Sequence, residues 1–305
     1  MKFLKQALKT PDKSLKFLLH RHLTTTQPGR SYKTLHASSL TKEDPEFCPR
    51  ENALAVLLGI KPHPETLIAS QEAVFTLGRI WQDQIVNWLG DMGRAVGDWK
   101  CLACGARQEF CKRPVKCPHC GCRAFKPEEF RFRSEICGAS CGIDTLLDIG
   151  EPRHVVVEIK TMRPEEFKTL VAPLAEHRYR TNLYLRLVAE SDSPFKDRVN
   201  TARAKILYTS KGGFGNADPE LETWGLPDKF SPFKEFEIQR DDAMTDGIVA
   251  RAKMFWDFRT GKAGLPLGLC PTALCKRAKV CPVMKSCFSG QFPAGMMAQI
   301  KDEAA

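Results

Sequence analysis

The chain of 305 residues carries a formal net charge of +10 and a pI near 9.0, with 43% hydrophobic and 27% charged residues. These are ordinary globular proportions, and the length admits one large domain with small modules. No run approaches the roughly 20 apolar residues of a membrane span, and the basic balance favours an anionic partner.

The N-terminal stretch MKFLKQALKTPDKSLKFLLHRHL lacks the long apolar core of a signal peptide. It is basic, with no acid before Asp12, so organelle targeting stays open beside the plainer expectation of a short surface helix. A linker over Thr24–Arg30 would follow it. A helix is expected from about Pro49, with Leu54, Leu57 and Leu58 on one side. A longer one runs from about Ser70 to Leu89, with Val74, Leu77, Ile80, Trp81, Ile85 and Trp88 expected to face a core. A Cys-rich segment occupies Trp99 to Pro127. From Phe130 the pattern turns to strands, FRFRSEI, CGIDTLLDIG and HVVVEIK, with gaps short enough for hairpins or a meander. Helical spacing returns over Arg163–Ala189, interrupted at Pro173. RAKILYTS reads as a strand, GGFGNADPE as a loop and Asp242–Arg259 as a helix. The expected fold class is α/β, a mixed central sheet flanked by helices.

The 13 cysteines fall as Cys48 alone, eight from Cys101 to Cys141, and four from Cys270 to Cys287. An odd count in tight pairs reads as metal ligation in a reducing compartment, here the cytoplasm, rather than as a disulfide scaffold. Cys101-Leu-Ala-Cys104 and Cys117-Pro-His-Cys120 stand twelve residues apart, each followed by a glycine suited to a tight turn. Four thiolates at this spacing suit tetrahedral Zn²⁺, and so small a segment would have little core without the metal. Cys111 and Cys122 lie near enough in sequence to substitute, and His119 is a weaker candidate. Arg107, Lys112, Arg113, Lys116, Arg123 and Lys126 make this zinc ribbon, residues 99–127, a candidate nucleic-acid surface.

In VVVEIKTM, Val155 to Met162, Glu158 and Lys160 share a face because side chains repeat every two residues along a strand. If the Asp144 strand pairs nearby, Asp144 and Glu158 converge on one divalent cation, with the Ile159 carbonyl as a further oxygen, which suits Mg²⁺ or Mn²⁺. Lys160 would then orient the attacking water beside a phosphate. Glu135 is a further acid on the preceding strand.

The order CGIDTLLDIG then VVVEIKT resembles the core of the PD-(D/E)XK nucleases, specifically the RecB-like branch. That branch has a helix with Gly-x-x-x-His ahead of the core, matched here by Gly78-Arg-Ile-Trp-Gln82 with Gln82 replacing His. It also has a later helix with Gln-x-x-x-Tyr, matched by Arg180-Thr-Asn-Leu-Tyr184 with Arg180 replacing Gln. The resemblance spans about Leu40 to Phe288 and implies Asp144, Glu158, Lys160, Gln82 and Tyr184 as catalytic and supporting residues, with Arg180 on a DNA phosphate. It is similar also to CRISPR-associated and phage-type exonucleases that hold a [4Fe–4S] cluster with one cysteine before the core and three after it. Cys48 takes the forward place, Cys281 and Cys287 the closing pair, and Cys270 or Cys275 the fourth. A second zinc site and free cysteines are the other readings of this group.

The implied organisation is a basic extension over 1–37, a nuclease core over 38–98 and 128–292, and the inserted ribbon. The implied activity is a Mg²⁺- or Mn²⁺-dependent exonuclease on single-stranded DNA or duplex ends, in recombination, repair or replication, within a bacterial or phage-infected cell. The rival is a non-catalytic nucleic-acid-binding protein in which the zinc ribbon carries function on a decayed core.

Overall fold

The computed structural model describes residues 15–25, 35–41, 47–60, 68–212, 215–227 and 229–289. Residues 1–14 of the basic extension, 26–30 of the expected linker, part of the GGFGN loop and 290–292 at the end of the core therefore lie outside the described residues.

Four helices come first: α1 (Leu15–Thr25), α2 (Ala37–Leu40), α3 (Pro49–Leu57) and α4 (Ala69–Asp91). Proline at the first position of α3 suits its fixed φ, and Ala53, Leu54 and Leu57 bury its inner side. Strands β1 (Ala95–Cys101), β2 (Arg107–Lys112) and β3 (Phe125–Glu128) precede β4 (Phe130–Arg133), β5 (Ser140–Ile143), β6 (Thr145–Leu147) and β7 (His154–Met162). Helices α5 (Pro164–Thr169) and α6 (Ala175–Ala189) lead to β8 (Val199–Ser210). The short β9 (Asn216–Ala217), α7 (Pro219–Thr223) and β10 (Phe230–Ser231) precede β11 (Phe233–Gln239) and α8 (Asp246–Arg259). Two short helices, α9 (Lys276–Val280) and α10 (Met284–Ser289), close the described chain.

The central sheet runs β11-β8-β7-β6-β1-β2, with β3 also paired to β1. Only β7 and β8 are parallel within it, the other pairs being antiparallel, so the sheet is mixed. A parallel pair needs a long crossover, and α5 and α6 supply it. Strand β7 is central and covered on both faces, which explains its near-continuous apolar run. Val157 and Ile159 pack with Ile85 and Val86 of α4 and with Trp99. Val156 on the other face joins Leu183 and Leu187 of α6 and Ile248 and Phe255 of α8.

The sheet and its flanking helices bear out the expected α/β class. Of the two arrangements expected from Phe130, hairpins form rather than one meander: β4 pairs with β5 outside the central sheet, and the chain breaks at Asp144 before β6 pairs with β7 within it. One expectation needs correcting. Helix α4 forms as expected, and Ile85 is buried. Val74, Leu77, Ile80 and Trp88, however, remain 42–59% exposed. The face of α4 that meets β7 is the one through Gly78, Gln82 and Ile85. Among the described helices, none is long and apolar enough to cross a membrane.

Candidate active site and cysteine centres

Asp144 takes its position from the break in the strand ladder. Thr145, the first residue of β6, pairs opposite Val157, and the β6–β7 ladder extends no further along β7. The N–H of Ile159 is left for a side chain, and it donates to Asp144 Oδ2 at 2.6 Å. The other oxygen, Oδ1, accepts from Gln82 Nε2 at 2.8 Å. Gln82 reaches it because α4 lies close on β7 at Gly78, where a Cβ would stand 3.2 Å from Thr161 Oγ1. A larger residue there would push the helix away.

Glu158 and Lys160 lie on the α6 side of β7, and the Lys160 ammonium donates to Glu158 Oε1. Glu158 is 2% exposed. Its other oxygen, Oε2, is buried without a hydrogen-bond partner among the described residues. Burial, and then the charge on Glu158, pushes the Asp144 carboxyl well above the ordinary carboxylate range. Burial alone would lower the Lys160 ammonium, but Glu158 and Asp144 beside it hold it above its usual value. Two buried carboxyl groups thus raise each other's cost of ionisation, with one lysine paired to Glu158 and one Glu158 oxygen orphaned, a deficit of positive charge. Both groups offer hard oxygen donors, so the residues fit a divalent cation such as Mg²⁺ or Mn²⁺.

Helix α6 closes the site. Tyr184 is buried, and burial followed by the charges on Glu158 and Asp144 drives its hydroxyl far above its usual pKa. One turn earlier, Arg180 Nε donates to Thr41 Oγ1 at 3.2 Å, which ties this helix to the segment after α2. Asp144, Glu158, Lys160, Gln82, Tyr184 and Arg180 are therefore gathered at one place. Glu135 is not, since it is exposed in the β4–β5 turn with its N–H on Glu190 O. His177 has no counterpart among the residues expected from the sequence. It stands three residues before Arg180 and seven before Tyr184, a spacing that puts all three on one helical face and could have pointed to it.

The four ribbon cysteines also converge. One sulfur from each of Cys101, Cys104, Cys117 and Cys120 lies within 4.8 Å of the others. The sulfurs of Cys101 and Cys120 are 3.6 Å apart, as are those of Cys104 and Cys117. Tetrahedral ligands at about 2.3 Å from a metal stand ~3.8 Å from each other, so the set fits one ion. Gly105 and Gly121 hold positive φ of 74° and 73° after the two pairs. Backbone N–H groups of Cys104 and Ala103 are drawn onto the Cys101 sulfur and lower its pKa. Cys111, Cys122 and His119 lie outside this group. Arg107, Lys112, Arg113 and Lys126 pair with Glu128, Asp148, Asp91 and Asp83. The ribbon's basic character is thus largely spent within the protein. Its strand β1 continues into the central sheet through Ala95 and Val96, which pair with β6.

At the other end, a partly open pocket is lined by Cys48, Cys270, Cys281 and Cys287, with Glu51 and Arg277 also on its wall. Cys275 is not on that wall. It is the N-cap of α9, its sulfur accepting from Ala278 N at 3.3 Å, and it lies close enough to Cys270 for the two thiols to share a hydrogen bond. Arg277 Nη2 bonds Glu51 Oε2 at 2.7 Å, and Arg50 donates to the carbonyls of Pro266 and Cys287 at 3.3 and 3.2 Å. The tail is thereby fastened to α3. The donor set fits a thiolate-bound cluster.

No protein-family model and no curated protein matches the chain. Among solved structures it is similar to SSO0001, at 17% identity and a TM-score of 0.37, covering 79% of this chain and 84% of that one. It is similar also to an alkaline exonuclease, LHK-Exo, from Laribacter hongkongensis, at 13% identity and a TM-score of 0.40, covering 74% and 87%. The same enzyme in complex with dAMP gives 14% identity and a TM-score of 0.37 over the same shares. Likeness of this degree is one of general outline and carries nothing about activity.

Proposed function

We propose that the chain is a metal-dependent DNA nuclease of the RecB-like PD-(D/E)XK type, an exonuclease of recombination, repair or replication. The observation that carries this reading is the buried pair Asp144 and Glu158, with Glu158 Oε2 unpartnered and Lys160 against Glu158. Asp144 and Glu158 would hold Mg²⁺ or Mn²⁺, which when bound supplies Lewis-acid stabilisation of the phosphate and an acidified water. Gln82 and the Ile159 N–H fix the Asp144 carboxylate in one orientation. Lys160 aims its ammonium at the phosphate, steadying both the attacking water and the charge that develops on the non-bridging oxygens. Arg180 and Tyr184 present the DNA backbone from α6.

In this reading Cys101, Cys104, Cys117 and Cys120 hold Zn²⁺ as a staple for residues 99–127, inserted between core segments 38–98 and 128–292. Cys48, Cys270, Cys281 and Cys287 hold a [4Fe–4S] cluster that joins α3 to the tail. The pairing of four of the six ribbon cations with acids counts against the rival in which the ribbon is itself the nucleic-acid surface.

Anaerobically purified protein, incubated with end-labelled single- and double-stranded DNA plus Mg²⁺ or Mn²⁺, is expected to cleave, and Glu158→Ala to abolish cleavage. Cleavage that survives Glu158→Ala overturns the assignment. Elemental analysis is expected to return about four iron atoms and one zinc, and a colourless protein holding only zinc refutes the cluster.

A further inference from the structure

His177 is held in a way that neither the metal site nor the cysteine centres use. Its partner Tyr208 is fully buried and stands directly beside Lys160 in the parallel β7–β8 register. The Tyr208 hydroxyl oxygen accepts from Leu174 N at 3.1 Å and lies 2.9 Å from His177 Nδ1. The Glu176 carboxylate beside Nε2 only accepts, so the proton of the neutral ring belongs on Nε2, and Nδ1 is left to accept from the Tyr208 hydroxyl. Nε2 points away from Tyr208, 3.2 Å from a carboxylate oxygen of the neighbouring, half-exposed Glu176. Burial first, then the charges on Lys160 and Arg180, hold the imidazole pKa down to about 3, which agrees with a neutral ring.

We propose that His177 is an uncharged phosphate-positioning residue, whose Nε2–H donates to a non-bridging oxygen of the DNA backbone beside the reacting phosphate. The proposal rests on the nuclease reading above. In the free protein the Glu176 carboxylate occupies the place that a phosphate oxygen takes when DNA binds. Tyr208 and Leu174 keep the donor aimed, so the ring does not spend its hydrogen bond elsewhere. The site thereby holds one neutral donor next to two cations, Lys160 and Arg180. This adds directional contact to the backbone without raising the number of condensed counterions displaced.

That distinction is measurable. Fluorescence anisotropy with a labelled single-stranded oligonucleotide, in Ca²⁺ and across a salt series, reads both affinity and the slope of log K against log[salt]. His177→Ala is expected to weaken binding about 30-fold, the value of one hydrogen bond to a charged group, with the slope unchanged. Arg180→Gln is expected to reduce that slope by about 0.7, the single-strand value for one lost ionic contact. His177→Gln, which can place an amide N–H near the Nε2 position, is expected to restore part of the loss. Glu176→Gln is expected to tighten binding in the wild-type background and to do nothing in His177→Ala, a coupling that a merely structural histidine does not produce.

Unchanged affinity in His177→Ala, a slope that falls as in Arg180→Gln, or an additive Glu176–His177 cycle each overturns the proposal. Should His177→Ala not fold, Glu176→Gln combined with His177→Gln settles the same question. These are binding readouts, so they stand apart from the Glu158→Ala cleavage test that decides the nuclease reading itself.

Discussion

Replacing Gln82 by leucine tests whether α4 serves the acidic pair. The substitution keeps roughly the side chain's size and removes the amide that donates to Asp144 Oδ1 at 2.8 Å. A hydrogen bond to a charged acceptor contributes about 2 kcal/mol, and Asp144 retains only the Ile159 N–H on its other oxygen. If Asp144 is a metal ligand, that loss falls on how well its carboxylate is oriented, and 2 kcal/mol corresponds to about 30-fold in metal affinity. This lies inside the 10–100-fold range found when the partner of a metal ligand is removed. The assay is cleavage rate against Mn²⁺ concentration, paired with calorimetric titration of Ca²⁺. Half-saturation is expected to rise about 30-fold while the rate at saturating metal stays near that of the wild type. Half-saturation that does not move refutes the assignment of Gln82 as the residue that holds Asp144 for a cation.

Three further outcomes follow from the geometry. Cys275→Ser is expected to retain iron, because serine keeps the N-cap on α9 and Cys275 is absent from the pocket wall, whereas Cys270→Ser loses it; an iron assay on both variants decides, and equal loss contradicts the ligand choice. Removing metal from the ribbon with a chelator is expected to expose Trp99, which is 1% exposed beneath Arg113, and to shift tryptophan emission to the red. An unshifted spectrum after zinc loss argues against a folding role. The third concerns His177, whose pKa is held down to about 3. The unfolded chain takes up a proton near pH 6.5 while the folded one stays neutral, so this stability is present above about 6.5 and is lost as pH falls, by about 2 kcal/mol at pH 5. Urea unfolding at pH 7 and pH 5 is expected to show a smaller loss in His177→Gln than in the wild type, and equal losses refute it.

The sequence made the centre of the fold readable because β7 combines a β-branched run with charges two residues apart, a pattern that fixes both burial and facing. Asp144 was readable for the same reason, as a lone acid between two apolar stretches. The orientation of α4 was not. A period of apolar residues says that a helix has two unlike sides, but not which side a sheet will take. Here Gly78 and Gln82 decided it through close approach and a hydrogen bond. The separation of β4–β5 from the main sheet was equally hidden, since a hairpin and a meander share the same spacing. His177 escaped because its partner, Tyr208, lies 31 residues further along. Which of Cys270 and Cys275 lines the pocket with Cys48 depends on where a loop turns, which local spacing does not encode.

The clasp between α3 and the tail joins distant parts of the chain, since Arg277 meets Glu51 across 226 residues and Arg50 reaches the Cys287 carbonyl across 237. A chain emerging from the ribosome exposes Cys48 long before Cys281 and Cys287. The pocket therefore cannot form until Cys287 has been made, whereas the ribbon cysteines lie within 20 residues of one another and can come together well before. Maturation is thus ordered by the chain itself. By chain distance alone, the ribbon thiols can meet first and the closing thiols last. A protein truncated near residue 265 would keep the ribbon thiols together and leave Cys48 on α3 without the tail cysteines that line its pocket.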